Sequence, residues 1–290
     1  MGFYHERTPE GLKRREFHKD QFQKRQPKPT DTVFFKLEQQ LDPKFLNVDP
    51  LKDSYKKGIV QKSELIKAIR SQHTALLVID MQYLDAARGY GVFADTDKSA
   101  IPVKAQEYYF STLENVVIPN IRKLQGCFRS CELEIIHTRI QALTQDGRDR
   151  SLAHKRLDLL ATPGSKEAEF LEEVAPAGDE IVINKTASGV FSSTNLYFIL
   201  NNLKIDALFV TGVYTNECVS TTVRDASDLG FLVTLIDDGC TTVTPELHGS
   251  TITTLRDRYA RIITTDMAIC EIQKSFRKSP KLRKAAMEIT

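Results

Sequence analysis

The chain has 290 residues, of which 41% are hydrophobic and 27% charged, with a formal net charge of +2. That length holds one large domain or two small ones. The five cysteines (Cys127, Cys131, Cys218, Cys240 and Cys270) are an odd number without a regular framework, which excludes a disulfide scaffold. No apolar leader and no run of about 18 apolar residues occurs, so the expectation is a cytoplasmic protein with reduced thiols and no membrane span.

Residues 1–72 read as an N-terminal extension. Residues 1–70 hold 16 Lys and Arg against 10 Asp and Glu, whereas the remainder holds 24 against 28. A basic arm of this kind can bind a polyanion, but interleaved acids weaken phosphate binding, so no nucleic-acid partner is expected. Phe34, Leu37 and Leu41 make one apolar helical stripe, and Leu65, Ile66 and Ile69 another, with Ser63 as a candidate N-cap. Such short helices need a surface to cover, either the body or a sister subunit, and a homo-oligomer is expected.

From Thr74 the pattern alternates between apolar runs and helical spacings. A strand runs to about Asp80, and a loop from Tyr83 to Pro102 follows. Helical spacing then continues through Leu113, Val117, Ile121 and Leu124. Leu133–Thr138 reads as the second strand, and residues 139–165 as a long polar loop, a length that tends to be functional. Ala168 to Val174 reads as a short helix, and a strand ends at Lys185. Thr194–Leu203 is a helix, Phe231–Asp237 a strand, Ile252–Tyr259 a helix and Arg261–Thr264 the last strand. Alternation of this kind predicts an α/β fold with a doubly wound parallel sheet in three layers. The domain is expected over 73–270, with a basic tail over 271–290.

The stretch from Val210 to Ser220 carries the chemistry. Ile205–Thr211 is an apolar run, the chain turns near Gly212, and helical spacing starts near Asn216. Cys218 then falls in a first helical turn, where unpaired N–H groups favour an anion and depress a thiol pKa. The residues alone leave two readings open: a nucleophile, or a small buried apolar side chain. Two further strands end in an acid, Asp80, and a base, Lys185. In a parallel sheet strand C-termini line the ligand crevice, so the three would meet there.

Leu76-Leu-Val-Ile-Asp-Met-Gln82, Lys185 with Ser188-Gly-Val-Phe191, and Gly212-Val-Tyr-Thr-Asn-Glu-Cys-Val219 occur in the order found in the isochorismatase-like cysteine hydrolases, and over about residues 74–265 the chain resembles that superfamily. It includes nicotinamidase, N-carbamoylsarcosine amidase and ureidoacrylate amidohydrolase. The resemblance implies a sheet of about six parallel strands and a triad of Asp80, Lys185 and Cys218. It also implies a cis peptide between Val213 and Tyr214, which aims the N–H of Tyr214, beside that of Cys218, at an oxyanion. The implied activity is C–N hydrolysis of a small amide, ureide or carbamoyl compound through a thioester at Cys218. Vinyl-ether hydrolysis, as in isochorismatase itself, and a non-catalytic interaction protein are the alternatives.

The chain departs from the family in two places. Nicotinamidases hold a divalent metal near the end of the second strand, where this chain has His137, Arg139, Gln141, Asp146 and Asp149 without a His pair; no metal and no cofactor is expected. Many relatives carry an aromatic five residues after the first-strand Asp, where this chain has Asp85, and Tyr83 is a candidate replacement wall. Gln82, Tyr83, His137, Arg139, Gln141, Arg150 and Phe191 are the candidate substrate contacts. Arg139, Arg148, Arg150 and Lys155 suggest an anionic or strongly polar substrate, unless they pair with Asp146, Asp149 and Asp158 to hold the loop.

Overall fold

The computed structural model describes Leu51 and residues 62–95 and 99–276. Six strands form one sheet: β1 (Thr74–Ile79), β2 (Glu134–Ile140), β3 (Ile181–Lys185), β4 (Ala207–Val213), β5 (Leu232–Thr241) and β6 (Arg261–Ile263). Their order is β3-β2-β1-β4-β5-β6, and every pairing is parallel. The order reverses between β1 and β4. The crevice at such a switch point is where an open α/β sheet binds ligands.

Both faces of the sheet are covered, which is why β1 and β4 are apolar apart from Thr74 and Thr211 and buried at every position. One face carries α1 (Lys62–Arg70), α3 (Val103–Thr112), α4 (Ile118–Ser130) and α10 (Thr265–Phe276) over Leu76, Val78 and Phe209. A π-helical turn over Leu113–Val117 joins α3 to α4. The other face carries α7 (Leu196–Asn202), α8 (Ser220–Asp228) and α9 (Pro245–Leu255) over Ala75, Leu77, Ile79, Leu208 and Val210. Successive strand residues thus alternate between two cores, as the pleat requires. Three short helices, α2 (Tyr83–Ala86), α5 (Leu152–Arg156) and α6 (Val190–Ser193), lie in the connections.

Several expectations change. Ala168–Val174 is not a helix: two 3-10 turns flank residues whose backbone pairs with the segment after β1. Tyr83 N–H donates to the Glu169 carbonyl and Leu171 N–H to that of Met81, so a tertiary pairing overrides helical spacing. Residues 271–276, expected in the tail, complete α10 and bury Ile272 and Phe276. The stripe at Leu65 and Ile69 is buried, with Ile66 half-buried, in α1 against the body. Ser63 is not its cap, because the helix already includes Lys62. The stripe at Phe34, Leu37 and Leu41 lies outside the described residues.

Candidate active site

Asp80 directly follows β1. Its φ of 54° is in the left-handed region, which Asp tolerates better than most residues. Its N–H donates to the Thr138 carbonyl at 3.0 Å, and Thr138 Oγ1 donates to its Oδ1 at 3.1 Å. The carboxylate is thereby fixed under the sheet edge and wholly buried. Lys185 closes β3, and β2 lies between that strand and β1. The base therefore does not sit on a strand adjoining Asp80; its long side chain spans the gap. Its Nζ lies 2.8 Å from Asp80 Oδ2, 3.2 Å from Cys218 Sγ and 3.1 Å from the Ala187 carbonyl. An ammonium has three N–H donors, so each has a partner. Burial alone would strip its proton, but the charge and hydrogen bond of Asp80, with Cys218 and Asp85, together outweigh that and hold Lys185 above its ordinary pKa.

Cys218 belongs to a π-helical turn over Thr215–Val219 that leads into α8. The turn begins where Gly212 lets β4 press against β1. With φ of +118°, a Cβ at Gly212 would stand 2.0 Å from the Ile79 carbonyl oxygen. The Val213–Tyr214 peptide is cis. The expected depressed thiol pKa is not found. Burial pushes Cys218 up, the Asp80 and Asp85 carboxyls add to it, and Lys185 opposes them. At rest the site holds a thiol beside an acid–base pair.

Tyr214 and Cys218 line a cavity of about 520 Å³, together with Asp85, His154, Ser188, Asn216, Glu217 and Thr242 and apolar walls that include Val92, Ile101, Ile140 and Leu159. Thr242 Oγ1 donates to Asn216 Oδ1, which ties the turn to the end of β5. His154 is buried, its Nε2 is 3.4 Å from Ser188 Oγ, and burial and Lys185 hold it below its ordinary pKa.

None of the candidate substrate contacts lines this cavity. Gln82 is a buried brace, exchanging hydrogen bonds with the Ile140 backbone and donating to the Glu167 carbonyl. Tyr83 packs under Lys166 and beside Tyr90. His137 has Nε2 3.0 Å from Glu180 and its ring against Phe170. Arg139 donates to Asn184 and to the Ala168 carbonyl, and reaches Gln141 at 3.5 Å. Arg150 donates to the Gly147 and Leu159 carbonyls, Arg148 pairs with Asp146, and Lys155 donates to the Arg148 carbonyl. Those bases hold the loop. Phe191 stacks on Phe231. Among the described residues no three His, Cys, Asp or Glu side chains are grouped to hold a metal. Of the other lining residues, Asp85 stands where relatives carry an aromatic and Asn216 lies within the 212–219 motif, whereas His154 and Thr242, which sequence missed, carry no motif and reach the cavity from separate connections.

A family model described as the isochorismatase domain matches residues 74–267. The chain belongs to the isochorismatase family of hydrolases. It is similar to an uncharacterized isochorismatase family protein, YrdC, of Bacillus subtilis, at 34% identity over 39% of this chain and 66% of that one. It is also similar to an N-carbamoylsarcosine amidase of an Arthrobacter species, at 31% identity over 40% of this chain and 46% of that enzyme. The match therefore spans under half of the amidase's length. The solved structure of an isochorismatase-like hydrolase from Alkaliphilus metalliredigens covers 68% of this chain and 97% of its own, at 25% identity and a TM-score of 0.51.

Proposed function

We propose that this isochorismatase-family chain is a cysteine amidohydrolase that cleaves the C–N bond of a small amide, ureide or carbamoyl compound. The observation that carries this is the single ammonium of Lys185, placed between Asp80 Oδ2 and Cys218 Sγ at 2.8 and 3.2 Å. The similarity to an N-carbamoylsarcosine amidase supports the same bond type.

The chemistry follows from the charges. A raised thiol pKa means that Cys218 is a poor nucleophile until its proton leaves. Asp80 is the acceptor within the same pair, and Lys185 stabilises the thiolate as it forms. Attack on the carbonyl carbon places negative charge on its oxygen. The N–H groups of Tyr214 and Cys218 are the proposed donors to that oxyanion. Asp80 then returns its proton to the leaving nitrogen, which departs as ammonia or an amine and leaves a thioester on Cys218. Water hydrolyses the thioester, with Asp80 as base, and the thiol is restored. An ammonia-release screen over small amides, ureides and carbamoyl amino acids tests this. Turnover that vanishes in Cys218→Ser supports it; no turnover of any of these classes refutes it.

A further inference from the structure

Asp85 has no role in that mechanism, yet it lies in the same cavity. It is 3% exposed, and its Oδ2 has no hydrogen-bond partner in the structure. Its backbone is fixed: the hydroxyls of Tyr109 and Tyr214 both donate to its carbonyl oxygen, at 2.8 and 2.9 Å. Asp85 lines the cavity, and its carboxyl is buried there with one oxygen unpartnered. A buried polar atom left without a partner is costly, and the cost is relieved when a ligand supplies one.

The rest of the wall shows what kind of ligand that is. Among the described lining residues Asp85 and Glu217 are acids, and there is no lysine or arginine. Lys185 is behind the wall with its donors taken by Asp80, Cys218 and Ala187. Arg139 is bound to the neighbouring strand, Arg148 and Arg150 are bound to their own loop, and Arg156 is exposed and does not line the cavity. An anionic substrate would find no counter-charge here; a cation would find two carboxyl groups. Val92, Ile101, Leu157, Leu159 and Val243 give it an apolar sleeve.

We propose that Asp85 sets specificity: its carboxyl receives a cationic N–H donor, an ammonium or amidinium, on the part of the amide that is not cleaved. This deepens the amidohydrolase reading of the site and rests on it. The groups facing Asp85 are Asp80 beyond β1, Lys185 on β3, Tyr109 on α3, and Tyr214, Glu217 and Cys218 beyond β4. Burial, then Asp80, push Asp85 up to about 8, with Lys185 opposing and Glu217 adding. The empty site therefore keeps a proton on Asp85 at neutral pH. A bound cation takes the place of that proton, which is released to solvent.

Binding of benzamidine, benzamide and benzoate to the full chain carrying Cys218→Ser, followed by calorimetry from pH 6 to 9, separates the possibilities. Benzamidine is expected to bind best, more tightly as pH rises towards 8, and to release a proton below that pH. Asp85→Asn should weaken it by roughly tenfold or more, as for a lost hydrogen bond to a charged group, and leave benzamide nearly unchanged. Proton release from the chain with Asp85 intact gives the same answer if Asp85→Asn fails to fold. Equal losses for benzamidine and benzamide, or preference for benzoate, overturn the assignment. Asp85-dependent benzamidine binding in a chain that hydrolyses no amide would keep Asp85 as a cation site and remove the amidohydrolase reading. Amide turnover without Asp85-dependent binding would do the reverse.

Discussion

The Nζ of Lys185 stands 3.2 Å from the Sγ of Cys218, and both side chains are buried. The same ammonium is shared with Asp80, so the charge on each of these groups sets the acidity of the thiol. Asp80 raises the Cys218 pKa and Lys185 lowers it. Asp80→Asn should not speed alkylation of Cys218 at neutral pH, because removing the carboxylate also removes what keeps the buried Lys185 charged, and the two effects on the thiol oppose each other. It should abolish turnover, since an amide cannot carry the proton to the leaving nitrogen. Lys185→Met should slow alkylation. Iodoacetamide labelling of the Cys218 peptide, read by mass spectrometry, checks both alkylation outcomes. Peptide-level reading is needed because Cys270 is exposed and will label first in the unmodified chain.

Asp85 should make stability depend on pH. Its pKa is 3.8 in the reference state and about 8 in the folded chain. Between those values the folded chain holds a proton that the unfolded chain has lost, so rising pH favours unfolding. The contribution is fully present below the unfolded value and is lost by about pH 8. The melting temperature of Asp85→Asn minus that of the unsubstituted chain should grow from about pH 4 to 8 and then level off. A flat difference would mean that Asp85 titrates normally.

Two glycines should respond oppositely to alanine. At Gly212 the new Cβ would meet the Ile79 carbonyl oxygen at 2.0 Å with φ of +118°. Gly212→Ala should separate β1 from β4 and lower the melting temperature by ten degrees or more, on the order of a few kcal/mol. Gly126, exposed in α4, has nothing within 4 Å of an added Cβ. Gly126→Ala should stabilise by about 0.5–1 kcal/mol, from helix propensity. Thermal melts of the two variants test this directly.

Arg150 should prove structural. It donates to the Gly147 and Leu159 carbonyls and does not line the cavity. Arg150→Ala should lower the melting temperature and change kcat/KM by the same factor for a neutral and an anionic amide. A loss confined to the anionic substrate would return Arg150 to the binding site.

The sheet was legible because buried parallel strands leave apolar runs such as Leu76–Ile79 and Leu208–Val210, each ending where the chain must turn. Asp80, Lys185 and Cys218 were legible for the same reason: each follows or closes such a run, so the strand ends brought them together. The cavity wall was not. Asp85 was marked only as the place where relatives carry an aromatic, and His154 and Thr242 reach the wall from a loop helix and the segment beyond β5, with nothing local to record which loops fold over one another. The arginines of the 139–165 loop misled because a basic run looks the same whether it faces a ligand or its own carbonyls. The Ala168–Val174 segment misled because its helical spacing yields to backbone pairing with residues 81–83.

The most direct test of the account is covalent. The chain is mixed with an amide found by ammonia release, quenched in acid within a turnover, and digested for mass spectrometry. An adduct equal to the substrate minus its leaving amine, on the peptide bearing Cys218 and absent from Cys218→Ser, is the predicted result. Undiminished turnover by Cys218→Ser, with no adduct on the unsubstituted chain, would contradict it.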